Sequence, residues 1–460
     1  MIKQFLKWKL WLVYTLLLTS AGCAKFLEEK ADKSMVVPGT LSDLDALLWS
    51  SSQININFPG LLEMGTDDFY VKSEMFSALD AFGQQVYRWD KEINFDVPNT
   101  NIYWTNAYAT VLTANTVLDK LKNYRESDPV FADKLEGEAL FIRSLAFYYL
   151  VEVYAPAYVP GGDNDDLGIP LKLSSDIHEP IRRATVKESY AKIVDDLLRA
   201  KSKLGAVVEF KTRASRPAAN ALLARIFLIM GDYDRALETA KEALSDYSNL
   251  MDYNDLDPSL ATPFVPFNDD VIFFAYTASA PMIASYMANV DSTLYRMYGE
   301  NDLRKELFFE GSTDNSITFK GWYSAINSGA FMGMNTPEVH LLMAECYARK
   351  QMFDLARNSL KILLSKRYLG GQTDFIDIIT DNEILSYILI ERRKELLFRG
   401  VRWSDLKRLN REEAFRTTIV RKIQFNNIEQ VFELHPNDSK YVYPIPQTVV
   451  DLGVIPQNRR

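Results

Sequence analysis

RPAANALLARIFLIMGDYDRALETA (216–240) and TPEVHLLMAECYARKQMFDLARNSL (336–360) decide the fold, because they are the same pattern 120 residues apart. Leu222 matches Leu342, Ala224 matches Ala344, and Phe227 matches Tyr347. Tyr233 matches Phe353, Asp234 matches Asp354, and Ala236 matches Ala356. A small residue where two helices cross, an aromatic at the turn, then alanine again is the logic of a tetratricopeptide helix-turn-helix unit. Such a unit cannot bury its apolar face alone, so several must stack into one helical scaffold.

The same spacing of apolar residues at three and four recurs along the chain. It predicts helices over 101–123, 134–155, 185–204, 216–233, 234–247, 336–353, 354–368 and 382–400. The pair 101–123 and 134–155 reads as a more degenerate unit of the same kind. Phe147, Tyr148 and Tyr149 are consecutive on one helix, so at least one must pack inward. Trp104 and Tyr108, four apart, read as core. Residues 271–290 carry no charge, but VIFFAY followed by Thr, Ser, Pro and Asn reads as a buried strand and a loop, not a membrane span. Between the helices lie long irregular stretches, 46–100, 156–183, 248–333 and 410–460, rich in Pro, Gly, Asn, Asp and aromatics. Loops this long in a compact protein usually carry function. The expected fold is therefore mainly α: a tetratricopeptide-like frame of helical pairs, with long irregular loops and a few short strands.

The first 23 residues, MIKQFLKWKLWLVYTLLLTSAGC, read as a targeting segment. Lys3, Lys7 and Lys9 precede a short apolar run, and Ser20, Ala21 and Gly22 lead to Cys23. A cysteine directly after small residues resembles a bacterial lipobox, with Ser20 where leucine is usual; the alternative is an ordinary secretory signal. Lipidation of Cys23 would give stable anchoring, since more than one acyl chain is attached. Residues 24–45 are expected to be an extended spacer. Removing residues 1–22 takes away three lysines and no acid, so the net charge moves from −9 to −12. An acidic chain disfavours nucleic acid as a partner. With only Cys23 and Cys346, a disulfide framework is excluded, and Cys346 reads as a buried helical residue.

The 460 residues contain no GxGxxG, P-loop, HExxH, GxSxG or CxxC motif. GGDNDDLG (161–168) opens like a calcium loop, but position five is Leu167 and position twelve is Ser174, so it reads as a solvated acidic turn. No catalytic residue, metal site or cofactor is expected. The positive signal is aromatic content: 7 Trp, 24 Tyr and 26 Phe. Most belong to helices, but Phe69, Tyr70, Tyr87, Trp89, Trp322 and Tyr323 fall in loop-like sequence. A ring exposed in a loop can stack on a sugar or hold a peptide side chain. These six are the expected ligand-binding residues, with Trp322–Tyr323 foremost because Gly321 beside two aromatics reads as an exposed turn.

ERRKELLFRGVRWSDLKRL (391–409) and YVYPIPQTVVDLGVIPQNRR (441–460) resemble the C-terminal segments of SusD/RagB-type outer-membrane lipoproteins. FLEEKADKSMVVPGTLSDLDALL (26–48), GEALFIRSLAFYYLVEVYA (137–155) followed by GIPL (168–171), 216–237 and NDLRKELFF (301–309) resemble the same family in the same order. The resemblance implies a domain at 46–460, after a signal at 1–22 and a lipidated spacer at 23–45. Its N-terminal part would run about 24–235 and its C-terminal part about 270–460. It also implies a non-enzymatic, surface-exposed lipoprotein of the cell outer membrane. That protein would capture an oligosaccharide, or a peptide, and deliver it to a TonB-dependent SusC-like transporter. The 391–409 signature is expected to be structural, with Glu395 and Arg399 paired along a helix and Trp403 packing the following turn. A tetratricopeptide adaptor without a small ligand, and a surface glycosidase, are the other classes considered.

Overall fold

The computed structural model describes residues 38–56, 58–96, 101–277, 280–312, 315–425 and 428–460. The signal segment, Cys23 and the spacer as far as residue 37 lie outside the described residues. What remains of the expected extended spacer is partly helical: α1 (Leu41–Leu48) is closed by a capping box in which Thr40 and Asp43 each bond the other's backbone N–H. Leu41, Leu44 and Leu48 point inward at three- and four-residue spacing. That short amphipathic pattern lies at the edge of the stretch expected to be extended.

The frame is a run of antiparallel helices: α2 (Ile102–Tyr124), α3 (Pro129–Tyr154), α4 (Val186–Lys203), α5 (Arg216–Met230), α6 (Tyr233–Asp246), α7 (Thr336–Arg349), α8 (Phe353–Leu364) and α9 (Ile384–Glu395). A further short helix, α10 (Arg402–Leu409), follows. Each of α2 to α8 packs on its successor, while α7 also packs on α5 and α9. The starts are chemically marked. Asp128, Thr185, Ser215, Asp232 and Asn335 each accept a hydrogen bond from a first-turn N–H, and Pro129, Pro217 and Pro337 sit where no N–H is needed.

The two sequence repeats fold identically at their turns. Gly231 and Gln351 both take left-handed backbone, at φ of 74° and 60°. Asp232 N–H donates to Phe227 O and Met352 N–H donates to Tyr347 O, the long bond of a Schellman turn at equivalent positions. Ala236 and Ala356 are both fully buried beyond the turn. Helix α3 is the centre of the frame. From Gly137 to Tyr154 all its residues are buried, so Phe147, Tyr148 and Tyr149 all face protein.

Ten short strands, all antiparallel, pair only in twos among the described residues. Those that matter below are β1 (Phe69–Val71), β2 (Leu167–Pro170), β3 (Arg183–Thr185), β4 (Val271–Phe273), β5 (Ala288–Val290), β6 (Phe309–Gly311), β7 (Ile317–Phe319), β8 (Met334–Asn335), β9 (Ile419–Phe425) and β10 (Ile428–Leu434). The uncharged 271–290 stretch is two strands, β4 and β5, separated by a loop. The Asp-rich turn at 161–168 is held by Asn164, whose side chain bonds Val159 and Gly162. No helix among the described residues is long and apolar enough to cross a membrane.

Candidate binding surface

β1 pairs with β5, a partner more than two hundred residues away, with Tyr70 opposite Asn289. Phe69 and Val71 point into the protein and Tyr70 points out. Beneath the strand lies an aromatic cage around the buried Arg421. Its guanidinium sits 5.0 Å from the ring centre of Phe69, 4.1 Å from that of Tyr87 and 4.3 Å from that of Trp89. Arg421 donates to Tyr87 O, Met64 O and Thr66 O, and burial pushes its pKa down to about 10. The Val71 N–H donates to the Tyr87 hydroxyl at 3.0 Å, and the Trp89 indole N–H donates to Gly65 O at 3.0 Å.

The same strand is fixed at its start by two aspartates. Asp67 is gripped by Arg402 and Arg393, and Asp68 by Arg393. Burial pulls Asp67 up, but the two guanidiniums hold it well below the usual carboxylate range. The backbone of Asp68 accepts from Asp291 N–H, tying β1 to the end of β5 a second time. One helical turn earlier, the fully buried Glu63 accepts from Gly400 N–H, while its other oxygen has no hydrogen-bond partner. Burial, then the nearby Asp68, push Glu63 up to about 8.

Arg393, Gly400 and Arg402 all belong to the 391–409 signature, whose role here is structural. Glu391, Arg392, Lys394, Glu395, Trp403, Asp405 and Lys407 are buried. Arg304 bonds Asp302, Glu391 and Glu395, and Arg367 bonds Glu395 and Asp270. Arg392 bonds Asp405, and Arg408 bonds Asp405 and Glu345. The expected Glu395–Arg399 helical pair does not form. Helix α9 ends at Glu395, which turns to Arg304 and Arg367, and the Arg399 guanidinium lies over the Tyr323 ring, 3.1 Å from its centre. Trp403 is buried against Tyr441 and Tyr443 of the C-terminal segment.

Five of the six expected ligand residues therefore need correcting. Phe69, Tyr87 and Trp89 form the cage under β1. Trp322 is buried, with its N–H on Phe319 O and its ring stacked 5.3 Å from Phe398. Tyr323 is buried, with its hydroxyl donating to Asp270 at 2.7 Å. The segments between the frame helices, short helices and strands included, fill the space against the frame with large rings in stacked, edge and tilted contacts.

Tyr70 remains on the surface at 37% exposure. Sequence reasoning missed Tyr286, which is 68% exposed. It stands at the apex of a tight turn: the N–H groups of both Met287 and Ala288 donate to Ala284 O. The turn is braced by Asn327, which bonds Ser285 through both its side-chain oxygen and nitrogen. Lys72 reaches Ser316 at 3.2 Å, joining β1 to the approach to β7. Tyr70 on β1 and Tyr286 on the braced turn that leads into β5 are exposed rings, and Lys72, Ser285 and Asn327, on or bonded to the same segments, supply polar groups, a combination suited to stacking plus hydrogen bonding. Beyond β5, Tyr295, Glu300, Lys305, Glu306, Phe309 and Glu310 line an open polar cleft of about 710 Å³. The signal that marked Tyr286 was a tyrosine set among Ala284, Ser285, Met287 and Asn289, not within an aromatic run.

A helical-repeat scaffold carrying irregular, ring-rich loops is the class this architecture defines. Two family models match in tandem: one described as starch-binding and associating with the outer membrane covers residues 25–228, and that of the SusD family covers 310–457. The chain belongs to the SusD/RagB family. SusD-like protein P2 of Formosa agariphila is 25% identical over 265 residues, which is 52% of this chain and 48% of the relative, about half its length. A SusD superfamily protein from Bacteroides thetaiotaomicron superposes with a TM-score of 0.74 at 21% identity, over 92% of this chain and 100% of that one. A SusD-like carbohydrate binding protein from Bacteroides vulgatus gives 0.69 at 18% identity, over 90% and 97%. The fold is thus that of the SusD superfamily, which agrees with the tetratricopeptide-like reading of the sequence.

Proposed function

We propose that this protein is a non-enzymatic surface lipoprotein, anchored through Cys23 in the outer membrane, that captures an oligosaccharide and passes it to a TonB-dependent SusC-like transporter. The observation that carries the reading is the exposure of Tyr70 on β1 and Tyr286 on the turn that leads into β5, both on backbone braced by distant segments. An aromatic face stacks on the apolar face of a pyranose, and side chains beside it bond the hydroxyls. Pre-organisation matters because ordering a loop at the moment of binding weakens affinity. The family description as starch-binding, and a structural relative called carbohydrate binding, support a glycan over a peptide.

The test is calorimetry of the mature domain against maltoheptaose, laminarihexaose, xylohexaose and a set of peptides. Glycan binding lost in Tyr286→Ala, with the melting temperature within a few degrees of wild type, is the expected result. Binding of peptides alone would move the protein to the peptide-capturing members. Binding of neither class would favour a helical-repeat adaptor, and turnover of any glycan would indicate a glycosidase. Membrane fractionation of Cys23→Ala should place the protein in the soluble fraction. Affinity purification of the anchored form should recover a large TonB-dependent barrel.

A further inference from the structure

A second ring-bearing surface lies away from the β1–β5 ribbon and shares no residue with it. It is built from three segments: the end of α1 with residues 49–55, the 205–213 connection between α4 and α5, and residues 265–276 around β4. Backbone bonds sew them together. Phe274 N–H donates to Lys211 O at 2.7 Å, and Tyr276 N–H donates to Asn55 O at 2.8 Å. The Asn55 amide donates to both Thr212 O and Phe274 O. Lys211 Nζ reaches Asn268 O at 2.7 Å.

Trp49 is 44% exposed and is held on three sides. Its indole N–H donates to Asp45 at 2.9 Å. The Arg213 guanidinium lies 4.8 Å over its ring, and Phe210 meets it edge-on at 5.1 Å. Arg213 is itself locked by Glu138 and by Asp45, each at 2.6 Å. Phe210 is also 44% exposed. On the other side of Lys211, Phe267 is 48% exposed and tilts against Phe274 with ring centres 4.4 Å apart. Phe267 takes left-handed backbone, at φ of 62°, a conformation a bulky residue holds only when its surroundings impose it.

We propose that Trp49, Phe210 and Phe267 form a second carbohydrate-contacting surface, one that stacks on pyranose rings further along the same glycan chain. The proposal rests on the glycan-capture reading above. Three features favour a glycan over a protein partner. The Trp49 N–H is already satisfied inside the protein, so the indole offers a face and no donor. The rings are fixed before any ligand arrives. Phe210 adjoins the exposed Glu209, and Phe267 lies two residues from the exposed Asp269, whereas the centre of a protein interface is depleted of charge and needs about 800 Å² from each partner. Two contacts on one chain add avidity only for a ligand long enough to reach both. The surface therefore selects length: short oligosaccharides engage the ribbon alone, and polymers engage both.

The experiment is affinity electrophoresis of the mature domain in gels containing amylopectin, laminarin or xylan, beside calorimetry with the matching trisaccharide. Trp49→Ala/Phe210→Ala should lose tenfold or more in polymer affinity with its trisaccharide affinity unchanged. Tyr286→Ala should lose both. If the double variant melts well below wild type, Trp49→Phe and Phe267→Ala replace it, with the first expected to keep polymer binding and the second to weaken it. Trp49 is the one exposed tryptophan among the described residues, so polymer should also shield wild-type fluorescence from iodide quenching. Polymer retardation unchanged in the double variant overturns this proposal and leaves the ribbon reading standing. Absence of retardation for wild type in all gels overturns both. Loss of transporter recovery in the double variant, with polymer binding intact, would instead assign the surface to a protein partner.

Discussion

Glu63 is the residue whose environment is most at odds with its chemistry. Its ordinary pKa is 4.5 and burial beside Asp68 lifts it to about 8 in the fold. Between those values the folded protein holds a proton that the unfolded chain releases. Stability from this group is therefore complete below pH 4.5 and drains away as pH rises to 8. Glu63→Gln keeps an acceptor for the Gly400 N–H and removes the titration. Its melting temperature should be nearly flat over that window where wild type declines, and a parallel decline would contradict the assignment. His340 works in the opposite sense. Burial, with the Arg367 charge, lowers it to about 4 from 6.5, so stability present above pH 6.5 is lost as pH falls toward 4. His340→Gln should blunt the acid limb. Sequence alone marked neither group, because nothing local distinguishes a buried glutamate from a solvated one. The steric limits are equally silent. A Cβ on Gly333 would sit 1.9 Å from Phe273 O, across the β4–β8 pairing. Gly333→Ala should cost about 3 kcal/mol or more in denaturant unfolding, since backbone must move to admit it.

At the scale of elements, the helices were legible and the loops were not. Period alone placed α2 to α9 to within about five residues at each end, because an amphipathic helix writes its burial into its own sequence. The 120-residue repeat even carried the turn geometry. Gly231 and Gln351 occupy equivalent left-handed positions, but only one is a glycine. Gln351→Gly should therefore stabilise the α7–α8 turn by about 0.5–1 kcal/mol, read as a higher denaturation midpoint at unchanged slope. The ring-rich loops behave differently. Trp322, Tyr323, Trp89, Tyr87 and Phe69 looked like ligand groups because loops lie on surfaces. These segments pack their rings against one another and against buried arginines. Of the expected site only Tyr70 stays outside, since β1 alternates and turns its middle residue to solvent. Tyr286 had a local signal in its small and polar neighbours, whereas Trp49 and Phe210 are positioned by pairings made across the fold, which no local window contains.

At the scale of the molecule, the 391–409 signature is a hub of buried ions. Arg304, Arg367, Arg392, Arg393, Arg402 and Arg408 each meet at least one acid from a distant segment. Removing one partner leaves the others buried and unpaired. Arg304→Met should leave Asp302 and Glu391 sharing the single charge of Lys394, one buried carboxylate too many, and cost about 3–5 kcal/mol, measured by denaturant melts. Arg304→Met combined with Glu391→Gln, which leaves Asp302 paired with Lys394, should recover much of that loss, whereas no recovery would mean that packing, not charge, is what the arginine supplies. The β1–β5 pairing has a temporal consequence. Residues 69–71 wait for 288–290, Asp67 waits for Arg393 and Arg402, and Thr66 waits for Arg421. A chain threaded amino-terminus first across a membrane exposes β1 and its aromatic neighbours long before their partners emerge. The β1–β5 ribbon is thus completed late in folding, and the amino-terminal half made alone should display unsatisfied rings and carboxylates, needing protection until the last quarter of the chain arrives.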